Sequence, residues 1–330
     1  MRLAFISHNR CGLNPGGLQR QIRSTKEALE RMGHDVVLWN PWDGVERGAY
    51  DVAHFFSADH TLLPVHEAFS EHGIPTVLSP VLGTGTLGSV GQRVRRSLAL
   101  SRFPLYQDLS RVIALVQEAD VAVALHETEQ ALFELYGRSK AVVRVPNGVA
   151  DVFRHGRPEN GRLLAGTDDY YLHVGQFWPN KGQRWLIDNW DGVAADLVLV
   201  GQAPVGQAAY YGGCQAAAEG RRVRFLGGFP PDSMDLADLY AGARALVLNS
   251  QSEVAPIVIN EAFAAKTPVV MPEHLVSDRD RSPDATFTYG NRESFRKALA
   301  NVVGTRTERP CTTWSDVAGM LVEHYEAMKR

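Results

Sequence analysis

The chain of 330 residues is poor in cysteine, in long apolar runs and in charge of one sign. Cys11, Cys214 and Cys311 are odd in number, far apart and without paired spacing. That pattern indicates neither a disulfide framework nor a zinc site, and a reducing cytoplasm is the expected location. No apolar stretch approaches the roughly 18 residues of a membrane-spanning helix. The opening MRLAFISHNR has only a short apolar run, so it reads as a first strand and not as a signal peptide. With 34 basic and 37 acidic side chains the net charge is −3, which argues against a general polyanion binder; nucleic acid is not the default partner.

What is present is alternation. Short apolar strands (RLAFIS, DVVLW, DVAHFF, PTVLSP, DVAVAL, AVVRVP) are separated by helical patterns near Gln19 to Met32, Leu62 to His72, Leu109 to Ala119 and Glu127 to Tyr136. This is the βαβ signature of a doubly wound parallel sheet. The stretch Pro146 to Gly161, rich in Gly, Pro and Asn, reads as a linker, after which YYLHVG, LVLVG, VRFLG, ALVLN and PVVM restart the pattern. Length and pattern together give two α/β domains, residues 1–155 and 156–312, with a cleft expected between them.

The most informative chemistry lies in SEVAPIVINEAFAAKTPVV, where Glu253 and Glu261 are eight positions apart across a strand-to-helix turn. Ligands of open α/β sheets collect at the carboxyl ends of the strands, and a carboxylate accepts hydrogen bonds from vicinal hydroxyls. The pair is therefore expected to grip one polyol from two sides, with Glu261 near the first helical turn. For one glutamate alone, a favourable interaction with the helix dipole is the plainer reading. Lys181, in QFWPNKGQ between a strand and a helix, makes an anion site with the free N–H groups of the helix start. Gly16 and Gly17 precede the first helix and let a ligand approach its backbone, although an ordinary turn explains them equally.

These segments occur in an order that resembles the retaining family 4 (group 1) glycosyltransferases of GT-B fold. The likeness runs through PGGLQRQIRSTKEALERMGHDVVLW, ADVAVALHETEQALFELYG, VVRVPNGVADVFRHG, LHVGQFWPNKGQRWLI, LVLVGQ and LADLYAGARALVLNSQSE to the glutamate pair, nearly the whole chain. The resemblance implies two Rossmann-like doubly wound domains facing across a cleft, with a terminal helix at residues 313–330 crossing back to the first. It implies a nucleotide sugar as donor, bound in the second domain without a metal or cofactor. The nucleotide ribose would meet Glu261, the transferred sugar Glu253, and the diphosphate Lys181 and Gln176, beside Pro256, Ile257 and Val258. Glu253 and Lys181 are thus the candidate catalytic residues, and Gly16 and Gly17 would lie near the donor phosphates.

This chain departs from the family's pattern in two places. Gln176 stands where an arginine is usual, so the diphosphate loses one charge there, and Arg184 one turn later is a candidate substitute. At Ser79 to Pro80 many relatives have a histidine; here His8 and His60 are the acceptor-side candidates instead, and His54 also lies near a strand end. The segment Gly91 to Arg111 sets Arg93, Arg95, Arg96, Arg102 and Arg111 against Asp108 alone. Arg95 and Arg96 are acceptor-side candidates, and the segment suits an anionic acceptor, a peripheral membrane contact or a solvated face. The acceptor itself is unknown. A nucleotide-sugar-binding relative without transfer activity would also explain Gln176. GTGTLG (Gly83 to Gly88) matches a dinucleotide motif literally but lies outside the first βα unit, which leaves an oxidoreductase as a remote alternative.

Overall fold

The computed structural model describes all residues except 13–15, 84–96, 98–106, 137–139, 277–281, 303–305, 307–308 and 330. The chain divides into two units, Met1–Asn147 with Trp314–Arg330, and Gly148–Thr313.

In the first unit, β1 (Arg2–Ser7), β2 (Asp35–Leu38), β3 (Val52–Phe56), β4 (Thr76–Ser79), β5 (Val121–Ala124) and β6 (Ala141–Arg144) form a parallel sheet in the order β2-β1-β3-β4-β5-β6. Every residue of β3, β4 and β5 is buried, as expected where helices cover both faces of a sheet. The helices are α1 (Gly17–Arg31), α2 (Leu63–Glu71), α3 (Gln107–Glu118) and α4 (Glu127–Tyr136). Phe55, Phe69 and Phe133 are fully buried at the centre, with Phe55 edge-on to Phe69 at 5.8 Å. Each such phenylalanine contributes about 1.5–3 kcal/mol of burial.

The terminal helix α11 (Trp314–Ala327) belongs to this unit. Its buried stripe of Trp314, Val317, Ala318, Leu321 and Tyr325 follows helical spacing. Tyr325 reaches the sheet, where its hydroxyl lies 2.6 Å from His54 Nδ1 while His54 Nε2 is 2.8 Å from Ser79 Oγ. At the rim, Lys329 pairs with Asp51 at 2.7 Å. Burial holds His54 neutral, its pKa lowered to about 3. His54 is thus a satisfied core residue that anchors the helix.

In the second unit, β7 (Tyr170–Val174), β8 (Asp196–Val200), β9 (Val223–Gly227), β10 (Leu246–Val247), β11 (Val269–Pro272) and β12 (Ala285–Phe287) form a parallel sheet ordered β12-β11-β10-β7-β8-β9. The order reverses between β7 and β10, which makes a topological switch point. Helices α5 (Pro158–Ala165), α6 (Gln183–Asp188), α7 (Ala208–Ala218), α8 (Met234–Gly242), α9 (Ile257–Ala264) and α10 (Arg292–Asn301) complete the unit.

The stretch read as a linker is largely part of this second unit. Phe153 is fully buried, 5.5 Å from the Tyr240 ring. Asp238 accepts from Arg157 N at 2.6 Å and from Asn160 Nδ2 at 3.1 Å. A Cβ at Gly161 would come within 2.0 Å of the Asp238 carbonyl oxygen, so that glycine permits close helix packing and does not supply flexibility. The Gly-rich composition resembles that of a linker because close backbone approach and chain flexibility call for the same residue. Among the described residues no helix is long and apolar enough to cross a membrane.

Candidate functional site

The switch point of the second sheet opens because its ladder is short. Strands β7 and β10 pair in register at Leu246 and Leu172, with Leu172 N donating to Ala245 O at 2.9 Å and Arg244 N to Tyr170 O at 2.8 Å before it. Beyond that pair, His173 Nδ1 lies 2.9 Å from the Val247 carbonyl oxygen, so the side chain donates where the ladder would have continued. Donation from Nδ1 makes Nε2 an acceptor, and this buried atom has no hydrogen-bond partner among the described residues. Burial, assisted by the charge of Lys181, lowers the His173 pKa to about 4, against the opposing effects of the Val247 carbonyl and Glu253.

Two loops meet beyond the strand ends. After β7 the chain passes Gly175 and Gln176, makes a 3-10 turn at Pro179–Lys181 and enters α6 through Gly182. Gly182 has φ +71, and a Cβ there would lie 2.3 Å from the Asn249 carbonyl oxygen, so both conformation and contact require glycine. Gln251 N donates to Asn180 O at 2.7 Å, and Asn249 Nδ2 to Gly182 O at 3.3 Å, joining this turn to the loop after β10.

That junction brings Lys181 Nζ to 2.5 Å from Glu253 Oε1 and lets Ser250 Oγ donate to the same oxygen at 2.6 Å. The side chains are 28% and 13% exposed, respectively: reachable by solvent but mostly withdrawn from it. Such a pair is held by its complementarity, and removing one member leaves the other poorly solvated. An anion can take the ammonium, and a polyol can take the carboxylate.

Glu261 does not share this surface. It is the fifth residue of α9, past the first turn, and is fully buried, with the Tyr240 hydroxyl donating to its Oε2 at 2.5 Å. The two glutamates therefore do not present themselves to one ligand from two sides in this structure. The physical reason is that α9 is buried almost all round, from Ile257 through Ala264 with Val258 the partly exposed member, so its polar residues face the core. Pro256 caps α9 without a side-chain hydrogen bond, and the first-turn N–H groups of Ile257 and Val258 lack intrahelical partners, as at any helix start.

Gln176 holds the loop and also reaches its neighbour: its carbonyl oxygen accepts from Gln183 Nε2 at 2.8 Å, and its Oε1 from Trp178 Nε1 at 3.2 Å. Arg184 does not supply the missing charge. Its guanidinium pairs with Asp188 at 2.8 Å, one turn down the exposed face of α6, and donates to Gly213 O at 3.3 Å.

In the first unit, His8 follows β1 and His60 follows β3, at the carboxyl edge of adjacent strands. His60 lies 3.8 Å from Asp59 and 3.6 Å from Asp108. Burial opposes ionisation of Asp59, but hydrogen bonds from the Thr61 hydroxyl and N–H, with the nearby His8 and His60, outweigh it and keep the carboxyl below its usual range. Gly16 is the extended N-cap of α1 and Gly17 its first residue; a Cβ on Gly17 would meet nothing within 4 Å among the described residues. Arg93, Arg95, Arg96 and Arg102 lie outside the described residues, as does most of GTGTLG; Arg111 lies in α3.

A carboxyl that the sequence did not single out holds the same edge. Glu129, fully buried, accepts from Leu82 N at 2.6 Å and Leu125 N at 2.7 Å, tying the loops after β4 and β5 to α4. Burial pushes its pKa up to about 7 despite both bonds. Nothing in a sequence marks a glutamate on a helix near its start as buried. His173 and Ser250 were missed for a similar reason, since their roles depend on which strands are neighbours.

Comparison with known proteins gives a consistent picture. Residues 168–304 match the family model described as glycosyl transferases group 1. HepE from Anabaena, solved in complex with UDP and glucose, superposes with a TM-score of 0.70 at 17% identity, covering 99% of this chain and 100% of that one. Sucrose-phosphate synthase from Thermosynechococcus elongatus gives 0.72 at 16% identity, with 99% of each chain covered. WaaG, a glycosyltransferase of lipopolysaccharide biosynthesis, gives 0.61 at 15%, covering 99% and 98%. At these identities the structures establish the fold, which is GT-B. No curated protein matches the chain in sequence.

Proposed function

We propose that this chain, residues 168–304 of which match the group 1 glycosyl transferase model, moves a sugar from a nucleoside-diphosphate sugar to an acceptor hydroxyl, with retention and without a metal. The observation that carries the reading is the Lys181, Glu253 and Ser250 cluster at the switch point of the sheet, inside the segment that the family model matches.

The resting ion pair suggests how a donor would enter. Its diphosphate competes for the Lys181 ammonium, which frees Glu253 to accept hydrogen bonds from sugar hydroxyls. Ile257 and Val258 offer first-turn N–H groups to the phosphates, with Pro256 setting the turn. Glu261, buried beneath that surface in this structure, would serve the ribose only once its cover is opened and its bond from Tyr240 is exchanged. Lys181 then stabilises negative charge on the departing diphosphate, while Gln176 contributes polarity and no charge.

In the transfer step the bond from the anomeric carbon to the phosphate oxygen breaks, and the acceptor oxygen bonds to that carbon on the same face. The acceptor's proton passes to a donor phosphate oxygen, so no protein base is needed. Positioning of two substrates supplies much of the rate. Acceptor recognition falls to the first unit, with His8 and His60 as candidates, while Gly16 and Gly17 would serve the donor phosphates. The arginines of Arg93–Arg111 suit an anionic acceptor or a membrane surface.

Calorimetry of the full chain against uridine, guanosine and adenosine diphosphates and their sugar conjugates tests this directly. Uridine compounds come first because HepE is solved with UDP-glucose. Saturable binding of one donor, weakened in Lys181→Ala, together with acceptor-dependent nucleotide release that survives chelation, is the expected result. Binding without release under any acceptor tried would favour the degenerate reading that Gln176 raises. Absence of binding would overturn both.

A further inference from the structure

The opposite edge of the second sheet carries a separate cavity of about 230 Å³. Its wall includes Asp168 and Asp169, immediately before β7, Arg244 just before β10, Arg162 in the last turn of α5, and Arg306. These residues precede the strands, whereas Lys181 and Glu253 follow them, so the two places lie at opposite ends of one sheet.

The charges of the cavity are unequally satisfied. Arg244 is clamped by both carboxylate oxygens of Asp169 and lies 5.9 Å from the centre of the Tyr171 ring, so this pair neutralises itself. Arg306 is held in place by neutral acceptors: its Nη2 donates to the carbonyl oxygens of Ala241 at 2.6 Å and Ala243 at 2.9 Å, at the end of α8. Its remaining N–H groups have no carboxylate among the described residues. The Arg162 side chain, exposed in the same wall, makes no hydrogen bond or ion pair among the described residues, and the Asp168 carboxylate has none among them either. Desolvation and then the neighbouring charge of Arg162 both disfavour the protonated form of Arg306, against a smaller opposing effect of Tyr170, a sign that the two cations sit close together.

We propose that Arg162 and Arg306 form a binding site for a phosphate group, distinct from the Lys181 site. Guanidinium groups bind oxyanions through paired, charge-assisted hydrogen bonds, and a dianion bridging the two would relieve their mutual repulsion. The cavity exceeds a bare phosphate, and Asp168 can accept a hydrogen bond from a hydroxyl on the same molecule. The occupant is therefore inorganic phosphate or a small hydroxylated phosphate monoester.

The test uses the full chain carrying Lys181→Ala, so that the other anion site does not contribute. Inorganic phosphate and glycerol 3-phosphate are titrated calorimetrically at ionic strength balanced with chloride. Saturable binding of at least one, weakened at least tenfold in Arg162→Gln, is expected. The exposed Arg162 side chain has no hydrogen-bond or ion-pair partner among the described residues, so this variant should keep its fold; Arg306→Lys, which retains a charge but loses the forked geometry, should weaken binding as well. Equal affinity for both probes points to free phosphate, and tighter binding of the ester, lost in Asp168→Asn, points to a phosphorylated metabolite; either supports the site. No saturable binding, or binding unchanged in Arg162→Gln, overturns it. With Lys181 restored, Arg162→Gln should leave nucleotide binding unchanged, which keeps this result separate from the function proposed above.

Discussion

The two units carry parallel six-stranded sheets, yet the carboxyl ends of their strands are furnished differently. In the second unit the strands part between β7 and β10, His173 wedges the gap, and opposite charges on Lys181 and Glu253 face each other within reach of solvent. In the first unit the corresponding edge holds a buried carboxyl, Glu129, spent on two backbone N–H groups, while His8 and His60 flank Asp59. One arrangement can exchange its partners for those of a ligand; the other fixes loops. Similar architecture thus leaves the chemistry to the loop side chains.

The sharpest way to break the comparison is at the charge pair. Glu253→Ala should lower acceptor-dependent turnover by roughly 10²–10³-fold, as removal of a group acting on the reacting sugar does. Steady-state kinetics with the donor found by calorimetry would measure it; unchanged turnover would remove Glu253 from the site. Next in size, Gly182→Ala forces a side chain into positive φ and against Asn249, and should cost about 2–4 kcal/mol in denaturant unfolding with loss of donor binding.

The fixed edge of the first unit is probed by pH. Because the pKa of Glu129 is raised from its ordinary value to about 7, the folded state keeps a proton that the unfolded chain has lost between about pH 4.5 and 7. Stability from this group is full below that window and declines as pH rises through it, by about 3 kcal/mol. Glu129→Gln should flatten this part of the profile. His54 has the opposite sign: depressed to about 3, it withdraws stability as pH falls below about 6.5. Chemical unfolding at pH 5, 6 and 7 separates the two, and an identical slope in Glu129→Gln would refute the assignment.

A smaller effect is expected where the terminal helix meets the sheet. Tyr325→Phe leaves His54 Nδ1 buried without its partner and should cost about 1–2 kcal/mol, with faster proteolysis at the carboxyl terminus. Smallest of all, Arg184→Ala should change donor affinity and stability by no more than about 0.5 kcal/mol, since its ion pair is exposed. A large loss of donor affinity would restore Arg184 as the substitute for the charge missing at Gln176.

Much of the fold was legible because a parallel sheet covered on both faces must be written as short apolar runs, and those runs are DVAHFF, PTVLSP, DVAVAL and LVLVG. Lys181 and Glu253 were legible for a related reason: strand-loop-helix patterning places their loops at the carboxyl edge. The linker reading shows the limit: the boundary between the units falls at its start, between Asn147 and Gly148, while the rest packs into the second unit. Gly156 and Gly161 look like flexibility in one dimension and prove to be contact points against α8 in three. The glutamate pair shows another limit, since spacing along the chain carries no information about which helix face is covered.

By itself, then, the sequence determined the number and kind of layers, the positions of the loops that bear charge, and the presence of an amphipathic helix at the end of the chain, though not where that helix packs. All three follow from local periodicity and turn chemistry, which act within a few residues. Only the tertiary structure decided that Lys181 meets Glu253, that Glu261 lies in the core beside Tyr240, that His173 fills a split between strands, and that Arg162 and Arg306 share one cavity. Those outcomes depend on strand order and helix packing between residues tens of positions apart, where burial and the need to satisfy every buried polar group select the partners.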